Sequence, residues 1–423
     1  MQACYAAFFG LRQHCSRRDV ILLNIKIIPG VLHGSLVPPA SKSQCHREII
    51  CAALSQGESR IKNVCFSNDI EATLRGMSAL GAHFARKGAE LCVTGGVPHG
   101  LPHIDCGESA TTLRLLIPVA LALCGCAEFS GAASLMARPL EPYFRIFRKK
   151  NVDYILDNNT LTLRGSLSAG EYTLTGDISS QFFSGMLLAL PLLGGESCLR
   201  SENRIQSQPY IDMTLDALHT HGVNIVQDTG KFYIRPQRFA PCDCELESDW
   251  SHAAMWLAAK ELGCRIELRG LNANSRQGDK IICEYLRQLR MGGDVELDVS
   301  QCPDIVPALA LAASVRGGNC AINNAARLRM KECDRLDAIS EVLNSLGANI
   351  KQRPDGLDIK GTSRLRGGVC VDPRRDHRIA MMAAVAAAIC EKPVIISDAE
   401  CVAKSYPEFW HTFEALGGAV SAV

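Results

Sequence analysis

Six copies of one helical pattern recur along the chain, and an internal repeat of this kind constrains a fold more than any single motif. In each copy a small or acidic residue precedes a helix rich in Ala, Leu and Met. The starts of these helices are separated by 66, 70, 72, 55 and 72 residues. They are Ser41, Gly107, Asp177, Asp249, Asp304 and Asp376.

A second repeat lies between these starts. An amphipathic helix ends at a glycine, which readily adopts the left-handed conformation common just past a helix, and a short alternating or β-branched strand follows. Four such helices are residues 74–80, 215–221, 336–346 and 409–416, each followed by Gly81, Gly222, Gly347 or Gly417. The strands include residues 91–93, 161–163, 232–234 and 357–359.

Together the two repeats predict six units of strand, buried helix, strand, exposed helix, strand and strand. The first helix of each unit is apolar on nearly all faces, so we expect sheets to enclose it. A chain of 423 residues exceeds one ordinary core. The repeats therefore predict an α/β fold of two three-unit domains: residues 40–240, and residues 23–39 with 241–423. Residues 1–22 read as an N-terminal arm, either a disordered extension from an upstream start or a short transit segment.

Composition narrows the function. The chain has 45 basic and 44 acidic side chains and a net charge of +1, so it lacks the basic excess of nucleic-acid binders. Its apolar runs are too short to span a membrane. The 20 cysteines are scattered, as expected for reduced thiols in a cytoplasmic protein. Neither a metal nor a cofactor is predicted.

Basic residues recur beside the helix starts, at Lys42, Arg47, Arg114, Arg335 and Arg378. Helix N-termini present unpaired N–H groups and a partial positive charge, and both favour phosphate and carboxylate. The sequence thus predicts an anion site ringed by helix starts. Ser, Asp and Gly are also ordinary caps, and Ser-Lys-Ser at 41–43 is compatible with a serine nucleophile, although nothing else in the chain accompanies it.

Nine motifs occur in the order seen in 5-enolpyruvylshikimate-3-phosphate synthases, and the chain resembles that family over residues 25–418. The motifs are PASKSQCHR, CGESATTLR, MARP, DISSQFFSGMLLALPLL, SQPYIDMTL, PDI, MKECDRL, DHRIAMM and AKSYPEFW. The family is built from six units in two domains, as an inside-out α/β barrel. The resemblance implies transfer of the enolpyruvyl group of phosphoenolpyruvate to the 5-hydroxyl of shikimate 3-phosphate, by addition and elimination.

The resemblance also implies site residues. Those for phosphoenolpyruvate are Lys42, Ala110, Arg138, Gln181, Arg335, Arg378 and Lys404. Those for shikimate 3-phosphate are Lys42, Ser43, Arg47, Ser179, Ser180, Gln181, Ser207, Asp304 and Lys331. Glu332 is expected to move the proton at carbon, Asp304 to act as base toward the hydroxyl, and Lys42 and Lys404 to stabilise charge on the departing phosphate. The partners implied are these two small molecules, with no nucleic acid or membrane, and a monomer is expected.

The chain departs from the family pattern at Glu108, Ala110 and Arg327, where members commonly carry Asn, Gly and, in some cases, Asn. These departures bear on affinity rather than on the type of reaction. Two alternatives stay open at this point. One is the sister enolpyruvyl transfer to UDP-N-acetylglucosamine, although the loop 132–139 lacks the cysteine that this reaction uses. The other is a non-enzymatic six-unit clamp.

Overall fold

The computed structural model describes residues 23–423, and the predicted N-terminal arm lies outside the described residues. Six buried helices form the interior. Residues along His377–Ala388 and Val306–Ser314 are buried on every face, as the apolar repeat predicts. The six helices are Lys42–Leu54, Ala110–Cys124, Ser180–Ala189, Trp250–Glu261, Val306–Ser314 and His377–Ala388.

A second set of six helices alternates with the first along the chain. Each is followed within two residues by a residue of positive φ, such as Gly81 at φ +98° and Asn151 at φ +54°. They are Asn68–Ala79, Glu141–Lys150, Gln208–Thr220, Ile282–Arg290, Arg335–Ser345 and Phe409–Ala415. A short helix, Ala133–Met136, and five 3-10 turns complete the helical structure of the described residues. The turns are Leu190–Leu192, Gly278–Ile281, Pro303–Ile305, Ala326–Met330 and Ala399–Lys404.

Five four-stranded sheets share one topology, in which a parallel pair is extended by two antiparallel strands. Three belong to the first half of the chain. In spatial order they are Cys244–Glu245, Glu58–Lys62, Glu90–Thr94 and His83–Lys87; His103–Asp105, Cys126–Ser130, Thr160–Arg164 and Asp153–Asp157; and Gly170–Leu174, Ser197–Ser201, Lys231–Ile234 and Val226–Asp228.

The remaining sheets belong to the second half. In spatial order they are Val295–Asp298, Asn319–Asn323, Gly356–Lys360 and Asn349–Arg353; Cys370–Val371, Val394–Ile396, Ile25–Ile28 and Ala419–Ala422; and two parallel pairs, Arg265–Leu268 with His33–Leu36 and Leu365–Gly367 with Cys390–Lys392. The strand Ile25–Ile28 therefore pairs with two strands from the C-terminal end of the chain.

The buried apolar residues fall into two clusters. One extends from Ala40 to Leu246, and the other combines residues 25–36 with residues 250–416. The two segments that join them run side by side, because Ala40 bridges Ser248 and Asp249 N–H donates to the Pro39 carbonyl at 2.8 Å. The domain boundaries stay a prediction. Pairing of Cys244–Glu245 with the first-half strand Glu58–Lys62 favours a crossing nearer residue 247 than residue 240.

Three of the six predicted helix starts differ from the structure. Ser109 and Ser179 cap the second and third helices, whereas Gly107 and Asp177 were expected. Gly107 has φ +55° and lies in the preceding turn, which leaves the Ser109 hydroxyl to accept the Thr112 N–H at 3.2 Å. Asp304 lies within the 3-10 turn Pro303–Ile305 and does not cap the helix that follows it.

Candidate active site

A polar pocket lies where the starts of the buried helices from both halves meet. Eight cationic side chains and three carboxylates line it. The cations are Lys42, Arg47, Arg114, Arg138, Arg327, Lys331, Arg335 and Arg378, and the carboxylates are Asp69, Asp304 and Glu332. The pocket therefore carries a net positive charge that suits anionic ligands.

The predicted serines and glutamine share this wall. Ser179 caps the helix that begins at Ser180, and the Gln181 amide donates to Thr111 Oγ1 at 2.9 Å. Gln181 Oε1 in turn accepts from Arg114 at 3.0 Å. Ala110, the first residue of its helix, also faces the pocket, as do Ser43, Ser180 and Ser207.

Asp69 links two of the predicted lysines. Its Oδ2 lies 2.7 Å from Lys42 Nζ and its Oδ1 lies 3.1 Å from Lys404 Nζ. Burial alone raises the pKa of Asp69, but Lys404 and Lys42 outweigh it and lower that pKa to about 2. The carboxylate therefore stays charged and holds both ammonium groups in place. Lys404 is the one predicted site residue that does not line the pocket; besides contacting Asp69, it donates to the Glu108 carbonyl at 2.5 Å.

Arg335 is the centre of an ion-pair network. Its guanidinium contacts Asp376 at 2.7 Å, Glu332 at 2.6 Å and Asp304 at 3.0 Å. Arg138, from the other half, approaches Glu332 at 3.8 Å. Burial raises the pKa of Glu332, yet Arg335 and Arg138 together hold it well below its usual range.

The carboxylate of Asp304 forms ion pairs with three cationic side chains. Lys331 lies 3.2 Å, Arg335 3.0 Å and Arg378 3.1 Å from its carboxylate oxygens. Against the effect of burial, these charges, Arg378 first, hold the pKa of Asp304 well below its usual range. Because Asp304 lies in a 3-10 turn rather than at a cap, its carboxylate is directed at this cluster instead of at backbone N–H groups.

Arg47 is almost fully buried, and protein oxygens take up most of its donors. It donates to Thr214 Oγ1 at 2.7 Å, to the Tyr210 carbonyl at 2.8 Å and to the Ser43 carbonyl at 2.5 Å. Arg47 lines the pocket, but these bonds mainly fix the first turn of the helix that carries Lys42 and Ser43.

The predicted site sets lack six polar residues that the fold brings to the pocket, one of which, Arg327, was named only as a departure from the family pattern. They are Asp69, Thr111, Arg114, Tyr210, Arg327 and His377. Arg114 stood among the basic residues near helix starts, and Tyr210 and His377 lay inside quoted motifs, so the sequence carried a signal for them. Asp69 had none, because an acid in the first turn of a helix is ordinary. Glu108, a departure from the family pattern, is not among the residues that line the pocket, and its carboxylate pairs with Arg375 at 3.4 Å.

Within residues 23–423 no cluster of three or more His, Cys, Asp or Glu side chains has the arrangement of a metal site. Nor does that part of the chain contain a helix long and apolar enough to cross a membrane.

Known proteins share both the sequence and the fold. The family model for EPSP synthase (3-phosphoshikimate 1-carboxyvinyltransferase) matches residues 27–413. The chain is 42% identical over 420 residues to the 3-phosphoshikimate 1-carboxyvinyltransferase of Clostridium botulinum (strain Alaska E43 / Type E3), covering 93% of this chain and 97% of that protein. It is 41% identical over 428 residues to the enzyme of the same name from Clostridioides difficile (strain 630), covering 94% of this chain and 98% of that protein.

Solved structures agree on the fold. EPSP synthase from Acinetobacter baumannii superposes with a TM-score of 0.79 at 23% identity, over 95% of this chain and 100% of that one. The enolpyruvyl transferase NikO from Streptomyces tendae gives a TM-score of 0.79 at 16% identity, over 95% of this chain and 99% of that one. The predicted two-domain inside-out α/β fold is confirmed. With this extent of match to the family model and to its curated members, the chain belongs to the EPSP synthase family.

Proposed function

We propose that this pocket transfers the enolpyruvyl group of phosphoenolpyruvate to the 5-hydroxyl of shikimate 3-phosphate, which is the reaction of EPSP synthases (EC 2.5.1.19). The observation that carries the proposal is the excess of buried cations around three carboxylates. The two substrates bring two phosphates and two carboxylates into one site, and burying that charge requires cationic partners.

Phosphoenolpyruvate is assigned to the side of the pocket where Arg138, Arg335 and Glu332 meet. Guanidinium groups bind planar carboxylates in a bidentate manner, and lysines act as point charges toward phosphate. Asp69 holds Lys42 and Lys404 together, and such a pair suits the phosphate that must depart. The proposed set is Lys42, Ala110, Arg138, Gln181, Arg335, Arg378 and Lys404.

Shikimate 3-phosphate is assigned to the serine-rich wall. Ser179 and Ser180 lie at a helix start, where hydroxyl and N–H groups suit phosphate or ring hydroxyls. Asp304 would accept the proton of the reacting hydroxyl, with Lys331 beside it. The proposed set is Lys42, Ser43, Arg47, Ser179, Ser180, Gln181, Ser207, Asp304 and Lys331, in which Arg47 acts mainly by bracing Ser43.

The chemistry has two steps. In the addition, the 5-oxygen bonds to C2 of phosphoenolpyruvate, C3 gains a proton and Asp304 takes the hydroxyl proton. In the elimination, C3 loses a proton, the double bond re-forms, and the bond between C2 and the phosphate oxygen breaks. Glu332 is assigned to give and then recover the proton at C3.

The ion pairs suggest how Glu332 becomes an acid. Arg335 and Arg138 lower its pKa, so the carboxylate binds a proton poorly while both face it. The carboxylate of phosphoenolpyruvate would share these two guanidinium groups and add a like charge beside Glu332. Both effects raise a carboxyl pKa, so substrate binding itself would favour the protonated form that donates to C3.

Phosphate release tests the function. We expect phosphate from phosphoenolpyruvate with shikimate 3-phosphate as acceptor and none with UDP-N-acetylglucosamine. The family match does not favour this second acceptor or the clamp. Release with the nucleotide sugar alone, or with neither acceptor, would overturn the proposal. We further propose a cytoplasmic monomer; the 18 cysteines of residues 23–423 are all unpaired by disulfides, which accords with a reducing compartment.

A further inference from the structure

Two carboxyl groups flank the hydroxyl of Tyr210. The phenolic oxygen lies 2.9 Å from Asp279 Oδ2 and 3.5 Å from Asp304 Oδ2. Tyr210 comes from the first half of the chain, on the helix Gln208–Thr220, and both carboxyl groups come from 3-10 turns of the second half. A phenol carries one proton, so it can donate to only one of two carboxylates. The three side chains can therefore accommodate one further proton between them.

The surroundings of the two carboxyl groups differ. Asp304 lines the pocket and forms ion pairs with three cationic side chains. Asp279 is not among the residues that line the pocket, is 5% exposed, and has no hydrogen-bond partner for Oδ1 in the described chain. A buried carboxylate that lacks such partners is costly. Asp279 should therefore bind a proton more readily than Asp304 does.

The charges around Asp279 agree with this difference. The titratable and charged groups that face it are Tyr210, Asp249, Cys302, Asp304 and Arg378. Burial, and after it the negative charge of Asp304, raises the pKa of Asp279 to about 7; Asp249 adds to this rise, whereas Arg378 and the hydrogen bond from the phenol oppose it. Burial also raises the pKa of the facing thiol, which is therefore neutral. Asp279 is thus the stronger base of the two carboxylates.

We propose that Tyr210 and Asp279 relay the proton that Asp304 takes from the acceptor hydroxyl. This inference rests on the proposed function, in which Asp304 is that base. As the 5-oxygen bonds to C2, its proton moves to Asp304. Asp304 then gives a proton to the phenolic oxygen while the phenolic proton moves to Asp279 Oδ2, which leaves Asp304 a carboxylate, Tyr210 unchanged and Asp279 neutral. The reverse steps return the proton, which over the whole reaction leaves with the departing group as hydrogen phosphate.

The alternative is that Asp279 only holds Tyr210 in place by accepting its hydrogen bond. Asp279→Asn separates the two roles, because the amide oxygen can still accept from the phenol but cannot take up a proton. We expect kcat for phosphate release to fall by about 10–100-fold, toward the effect of a group that itself transfers a proton. Calorimetry should show an affinity for shikimate 3-phosphate within about threefold of the parent's.

The pH dependence of kcat is a readout that a purely structural role would not change. In the parent, kcat should rise with pH through a pKa at or above about 7, because Asp279 must be charged to accept the proton and bound anions add like charge. This rise should be absent in Asp279→Asn. Tyr210→Phe breaks the relay at its centre and should remove the same rise, and the double variant should be no slower than the slower single variant.

Two variants outside the pocket serve as controls. Tyr285→Phe removes a hydroxyl that donates to the Asp298 carbonyl at 2.6 Å, and Asp358→Asn changes an exposed carboxylate. Both should keep the kcat and the pH dependence of the parent. A parent-like kcat and pH dependence in Asp279→Asn, a loss confined to affinity, or additive losses in the double variant would overturn the inference.

Infrared spectroscopy tests the stored proton without turnover. At about pH 6, below the pKa of about 7, the parent should show a protonated carboxyl band that Asp279→Asn lacks. Identical spectra for parent and variant would also overturn the inference. An inactive parent chain would instead contradict the proposed function, and the infrared comparison would remain valid.

Discussion

At the residue scale, the geometry singles out Glu332. It lies between Arg335 and Arg138, which come from opposite halves of the molecule. Glu332→Gln keeps the shape but cannot carry a proton, so we expect turnover to fall by about 10²–10⁴-fold with little change in the affinity for shikimate 3-phosphate. Steady-state kinetics and calorimetry check this, with Glu284→Gln, a half-buried position outside the pocket, as control. Turnover within a few-fold of the parent would exclude Glu332 from proton transfer.

A second residue-scale prediction concerns Asp279, which is buried beside Asp304. Its Oδ2 accepts from Tyr210 at 2.9 Å, and its Oδ1 has no partner in the described chain. Burial, then the charge of Asp304, raises the pKa of Asp279 to about 7, whereas Arg378 opposes this shift and Asp249 adds to it. An unfolded Asp has a pKa of about 3.9. Between these two pKa values the folded chain binds more protons than the unfolded chain. The free energy of unfolding therefore falls as the pH rises from about 4 to about 7.

Asp279→Asn should remove that pH dependence, since the amide oxygen can still accept from Tyr210. We expect equal unfolding midpoints for variant and parent near pH 4, and a more stable variant above pH 7 by on the order of 4 kcal/mol. Urea unfolding at both pH values measures the difference, and Asp358→Asn, at an exposed position, is the control. A variant that is less stable than the parent at high pH would contradict the assignment.

At the element scale, helix starts both cap the buried helices and supply the site. Asp376 does both: it caps His377–Ala388 and bonds to Arg335 Nε at 2.7 Å. Removing one member of a buried ion pair costs about 3–5 kcal/mol. We expect the loss of stability in Asp376→Ala to lie near the lower end of this range, because Glu332 and Asp304 still compensate the charge of Arg335.

The tryptophans make this measurable. All three, Trp250, Trp256 and Trp410, belong to the second apolar cluster, the one that contains this helix. Urea unfolding followed by tryptophan fluorescence should show a clear decrease in the free energy of unfolding for Asp376→Ala. The more exposed Asp337→Ala should change it only slightly. A loss below about 1 kcal/mol would mean that the pair contributes little to stability.

The repeat made the buried helices and their order predictable, because apolar periodicity and glycine stops are local signals. The exact first residues of three buried helices were not predictable. At the second helix, for example, the conformation of the preceding turn decides whether Gly107 or Ser109 becomes the cap. The site was predictable where a motif carried it, as for Asp304 and Glu332. Asp69 was not, because its role depends on Lys404, which lies 335 residues away in sequence.

At the scale of the whole molecule, ion pairs join the two halves. Lys404 reaches Asp69, Arg138 reaches Glu332 and Arg375 reaches Glu108. The pocket cations also come from both halves, so their mutual repulsion should lessen when anions bind. We expect the radius of gyration in X-ray scattering to fall when both substrates are added to the Glu332→Gln variant, which should not consume them appreciably. An unchanged radius would contradict closure driven by the ligands.

The addition–elimination reaction assigned to this pocket is tested most directly in deuterium oxide, with the product followed by NMR. Addition puts a solvent-derived proton on C3, and elimination removes one of three hydrogens from that carbon. We expect deuterium in the vinyl methylene group of the product made by the parent chain. We also expect turnover and deuterium incorporation to fall together in Glu332→Gln. Product that forms in deuterium oxide without deuterium at C3 would contradict the addition–elimination mechanism in this pocket.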